Sequence, residues 1–91
     1  MLPSEAMLRG FEMAGGRQCK NRLCRGNPVK PTAVCALGAM NLAMTGDSRN
    51  CSQIDAGSDA FFDATGELIS SANDAGMYIP DIAGILASEG Y

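Results

Sequence analysis

From Ala33 to Met44 nearly every residue is apolar, and only Asn41 clearly interrupts the run. Such a stretch is too long for an ordinary buried strand. It is too short to span a bilayer, which takes roughly 20 residues, so no membrane role is expected. It reads as a helix enclosed by protein on most sides. Pro31 suits the first helical position, where its missing N–H would be unpaired anyway, and Thr32 is the competing N-cap. Gly46 suits the left-handed residue that closes a helix. On this helix Ala33, Leu37, Met40 and Met44 share one face. Ala36, Ala39 and Ala43 form a small-residue face that lets a neighbouring backbone come close. Val34, Gly38, Asn41 and Thr45 form the most polar side, expected nearest to solvent or a partner, with close helix packing as the simpler reading of Gly38 and Asn41.

Three further helices are expected around it. Residues 3–15 carry Ser4 as N-cap, Met7, Leu8, Phe11 and Ala14 as the apolar face, and Gly15-Gly16 as the end. Gly10 inside costs about 1 kcal/mol relative to Ala. Residues 58–75 begin at Ser58 and present Phe61, Leu68 and Ala72, with Phe62 and Ile69 beside them. Gly66 is accommodated within, and Asp74-Ala75-Gly76 is the stop. The last helix opens at Pro80, buries Ile82, Ile85 and Leu86, and ends at Gly90. Between the first two helices lies the irregular segment 16–30, with a turn at Gly26-Asn27-Pro28, a short helical turn over Gln18–Leu23, and Leu23 and Val29 as anchors. A polar connector, 46–57, is anchored by Ile54. The expected fold is all-α: one domain, residues 1–91, with four helices around a buried central one and a basic loop between helices 1 and 2.

The 91 residues include no His and no Trp. Without His there is no Ser–His or Cys–His nucleophile, and the commonest general base and metal ligand is missing. No catalytic constellation is present, and no enzyme or cofactor is expected. The net charge of −3 conceals an asymmetry: all seven Lys and Arg lie at or before Arg49, whereas seven of the ten acids follow Cys51. The two halves present oppositely charged surfaces to each other, to a partner or to a second copy. No basic start followed by an apolar run marks a secretory signal, so a cytoplasmic protein with reduced thiols is expected.

Three groups carry candidate chemistry. Cys19 and Cys24 have four residues between them, Cys35 lies in the central helix and Cys51 in the connector. Paired Cys-x-x-Cys knuckles are absent, so zinc is disfavoured. A disulfide would most readily close the Cys19/Cys24 loop, and incidental thiols are the plain reading. The basic residues Arg17, Lys20, Arg22 and Arg25 could meet phosphates. They lack interleaved aromatics for stacking bases, and the nearby glycines form neither a P-loop nor a dinucleotide fingerprint. Asp59, Asp63 and Glu67 are spaced by four and stack on one helix face. One straight ridge does not wrap a hard cation. That ridge is either a solvated face answered by the basic loop or a surface for a basic partner. The stretch IPDIAGILASEGY looks like an early helix of a helix-turn-helix, but no recognition helix follows it, which disfavours nucleic acid.

Gly16 and Gln18, then CALGAM at Cys35–Met40, then NDAG at Asn73–Gly76 together resemble a group of small uncharacterised proteins of bacteria and their phages. That group has CALGA-type cores and a similar late turn. The likeness spans about a third of the chain, and this sequence lacks the aromatic that the group commonly carries beside the Gln. The resemblance implies a compact helical domain and a phage or mobile-element context, and assigns no functional residue. Two function classes follow. One is a small non-catalytic binding protein, such as an inhibitor that docks on a host or defence protein. The other is a small-ligand or nucleotide binder, dimeric or not, that uses the basic loop 17–30.

Overall fold

The computed structural model describes residues 1–91, the side chain of Ala56 excepted. Its elements are α1 (Pro3–Met13), β1 (Cys24–Gly26), β2 (Pro31–Val34), α2 (Ala36–Thr45), α3 (Asp55–Thr65), α4 (Ile69–Asp74) and α5 (Ile79–Ser88). This corrects the all-α, four-helix expectation in two places. A β-hairpin stands where the central helix was expected to begin, and the long third helix is two helices.

The hairpin has a physical cause. Thr32 and Val34 are β-branched, and Pro is tolerated at the first residue of a strand. Both edges of β2 are paired. On one side Cys24 faces Val34 and Arg25 faces Ala33 in antiparallel register, with an irregularity between Arg25 and Gly26. On the other side Gln18 and Val34 form a parallel bridge. There the Val34 N–H donates to the Arg17 carbonyl at 3.1 Å, and the Cys19 N–H donates to the Val34 carbonyl at 3.0 Å. A helix through residues 31–35 would forfeit these bonds and strand the backbone of the basic segment. The expected helical turn over Gln18–Leu23 is replaced by this bridge and a bend. The turn at Gly26-Asn27-Pro28 is in place: Asn27 Oδ1 accepts the Val29 N–H at 2.9 Å, an Asx-type closure. Leu23 is half-buried, but Val29 is exposed and anchors nothing.

α2 therefore starts at Ala36, with Cys35 as N-cap in place of Pro31 or Thr32. The Cys35 sulfur accepts the Gly38 N–H at 3.4 Å, and Asn73 Oδ1 accepts the Ala36 N–H at 2.9 Å. Gly46 closes the helix as expected. The third helix begins at Asp55 rather than Ser58 and stops at Thr65, because Gly66 adopts φ 70° and its N–H turns back to the Phe62 carbonyl. Thr65 Oγ1 donates to the Phe61 carbonyl at 2.8 Å and accepts the Glu67 N–H at 3.1 Å, which fixes the exit. α1 is capped at Leu2 with Pro3 in its first turn, and Ser4 lies buried inside the helix.

The core is continuous across α1, α2, α3 and α5, and its largest enclosed side chains include Met7, Met40, Leu42, Phe61, Ile79, Ile82 and Leu86. α1 crosses α2 where Gly10 meets Ala39: a Cβ added at Gly10 would run into the Ala39 carbonyl. The small-residue face thus does what its composition suggested. The side of α2 expected to be polar and outward is enclosed. Gly38 lies against the Leu23 backbone, Val34 is in the core, and Asn41 has no exposed surface. The connector covers Asn41, whose Nδ2 donates to the Ser48 carbonyl at 2.9 Å and to Cys51 Sγ at 3.3 Å. Asn41 Oδ1 is left without a partner. Ser48 is held in turn by its Oγ donating to the Pro28 carbonyl at 2.8 Å. Leu37 and Met44 are only half-buried. Among the described residues no helix is long and apolar enough to cross a membrane.

Candidate functional site

α3 sets the acidic ridge, but not with the residues expected. Because the helix starts one turn earlier and ends at Thr65, the four-residue spacing runs Asp55, Asp59, Asp63. Glu67 falls past the left-handed Gly66 and leaves the ridge, although it stays exposed nearby in sequence. All four carboxylates are exposed. The spacing of four was readable; the helix start was not, because Ile54, an apolar residue, occupies the N-cap position without a side-chain hydrogen bond.

Beside that ridge lie two large apolar side chains that amphipathic reasoning had placed in the core. Phe62 is 49% exposed and Leu68 is 59% exposed. The break at Gly66 causes this. In one long helix Leu68 would follow Phe61 onto the buried face. With the helix broken, Leu68 becomes the N-cap of α4 and turns outward, while Phe61 and Ile69 fill the core. Ser58, Asp59, Phe62, Asp63 and Leu68 line an open groove of about 480 Å³. A shallow apolar floor edged by carboxylates, with no basic residue after Arg49, suits a cationic segment bearing an apolar side chain.

The basic residues and the ridge stand on different elements. Arg17, Lys20, Arg22 and Arg25 are all exposed along the segment that forms β1 and its approach. β1 packs on β2, whereas α3 packs on α1, α4 and α5. β1, which carries Arg25, thus has no major contact with α3. The four cations line none of the three main grooves. The groove formed by Met13, Val29, Lys30, Pro31 and Leu42, about 460 Å³, takes only Lys30 from the basic loop.

Gln18 and Asn73 both tie distant segments together around the strand β2 and the head of α2. Gln18 Nε2 donates to the Met77 carbonyl at 2.8 Å, and Gln18 Oε1 accepts the Ile79 N–H at 3.0 Å. One amide thereby holds the start of α5. Asn73, in the last turn of α4, caps α2, and the Lys20 side chain lies beside Gly76. Gln18 and Asn73 spend these hydrogen bonds on the fold. Three of the four thiols, Cys19, Cys24 and Cys35, are buried, and Cys51 is exposed. Burial, together with the neighbouring Cys35, pushes the Cys19 thiol up from its ordinary value near 9.0, against the opposing pull of Arg25 and Arg22. Among the described residues no group of three His, Cys, Asp or Glu side chains converges to hold a metal. No family model, curated protein or solved structure matches the chain.

Proposed function

We propose that this chain is a small non-catalytic binding protein whose docking surface is the groove on α3, and that its occupant is a basic, apolar-tipped segment of a partner protein. The observation that carries this reading is the pairing of exposed Phe62 and Leu68 with Asp59 and Asp63 in one groove. Exposed aromatics rimmed by charge are the usual anchors of protein interfaces. On this reading the partner is a host or defence protein, where occupying a surface is enough to inhibit.

The small-ligand or nucleotide alternative is less well supported. Phosphates are held by several converging donors, and Arg17, Lys20, Arg22 and Arg25 are spread along an exposed segment without a shared cavity. The test is capture of host proteins on immobilised wild-type chain, compared with Phe62→Ala, Asp63→Lys and an Arg22→Glu/Arg25→Glu control. The expected result is a partner whose affinity falls roughly tenfold or more in both groove variants, as for an interface hot spot, and is unchanged in the control. Capture that survives the groove variants and fails in the control overturns the assignment.

A further inference from the structure

We propose that Cys19 and Cys35 are a dithiol pair that closes reversibly into a disulfide, stapling the basic segment to the head of α2. The geometry comes from the parallel bridge between Gln18 and Val34. Cys19 and Cys35 are the residues that directly follow the two partners of this isolated bridge, and Cys35 is extended at φ −88°, ψ 176°. Side chains on neighbouring strands at one rung point to the same face, with the strands roughly 4.8 Å apart. That spacing falls within the Cα separation a disulfide spans, about 4.4–6.8 Å. The two residues share one small apolar cluster with Ala33, and they are 5% and 1% exposed.

The other thiols are placed differently. Cys24 faces Val34 across the hairpin and belongs to the main core. Cys51 lies on the connector, where its sulfur accepts from Asn41. The Cys19/Cys24 loop, the natural choice from spacing, is thus the less favourable pairing. Cys19 is the entry thiol, since its neighbours Lys20, Asn21 and Arg22 are exposed. A low-molecular-weight disulfide such as oxidised glutathione is the oxidant. The Cys19 thiolate attacks one of its sulfurs, a mixed disulfide forms, and one glutathione thiolate leaves. The Cys35 thiolate then attacks Cys19 Sγ, the protein disulfide forms, and the second glutathione leaves. The two thiol protons pass to solvent, and the two electrons reside on the reduced glutathione.

The test is titration of the folded wild-type protein with oxidised against reduced glutathione, followed by alkylation and peptide mapping by mass spectrometry. The expected product is a Cys19–Cys35 cross-linked peptide that disappears on reduction, with Cys24 and Cys51 still open to alkylation once the protein is denatured. In Cys35→Ser the second step is blocked, and a stable glutathione adduct collects on Cys19. A Cys19–Cys24 cross-link, modification of Cys51 alone, or no cross-link at any glutathione ratio overturns the proposal. The wild-type map decides the matter even where Cys35→Ser folds poorly.

Discussion

At the residue scale, glycines divide sharply by what surrounds them. Gly10 and Gly38 each face a carbonyl too close for any Cβ, whereas Gly84 on α5 has open space around it. Gly10→Ala is expected to lower stability by about 2 kcal/mol, because overpacking outweighs the gain in helix propensity. Gly84→Ala is expected to raise it by about 1 kcal/mol. Urea unfolding midpoints of the two variants check both signs. The sequence alone showed Gly10 as a liability inside a helix; only the crossing partner, Ala39, reveals why a larger residue cannot stand there.

The Cys19 thiol gives a pH prediction at the same scale. Its pKa in the folded chain is raised above the unfolded value near 9.0. The unfolded chain therefore loses this proton first, and the contribution is intact below pH 9. It fades as pH rises from there through the folded pKa. Unfolding midpoints followed upward from pH 8 are expected to fall more steeply for the wild type than for Cys19→Ala.

At the element scale, helices were legible where apolar spacing and terminators agreed. α1, the body of α2 and α5 fall close to where periodicity puts them, and Gly46, Gly76 and Gly90 mark ends or exits with positive φ. The hairpin was not legible. Its strands are three and four residues long, and β2 runs into a helix of the same apolar character. What decides its conformation is pairing with residues 17–26, a contact that no local window contains. The exposed groove was hidden for a related reason. Phe62 and Leu68 look like core residues until the chain turns at Gly66. Gly66→Ala is expected to cost about 1 kcal/mol, because alanine at that left-handed φ is strained. It also weakens partner binding, since the turn is what presents Leu68 beside Phe62. Thermal melts together with the capture assay read the two effects separately. Asn73→Ala removes the acceptor for a buried N–H of α2 and is expected to cost about 1–3 kcal/mol, with faster amide exchange in the first turn of α2.

At the scale of the whole molecule, the carboxylates of α3 are exposed on a helix that has no major contact with β1, and no Lys or Arg follows Arg49 in the chain. Partner association through the acidic groove is therefore expected to slow as salt rises, while dissociation changes little.

The cap that opens α2 comes from Asn73, 37 residues downstream, and the amide that holds the start of α5 bridges 61 residues. A ribosome releases the chain from the other end. While residues 36–45 emerge, neither the cap nor the α5 side chains that complete their packing have yet left the exit tunnel. The nascent polypeptide must travel almost to its finish before its central segment can settle. A stalled chain with only residues 1–68 clear of the exit tunnel should leave α2 open to protease, and one carried on an appended C-terminal linker that brings Ser88 clear of the tunnel should protect it.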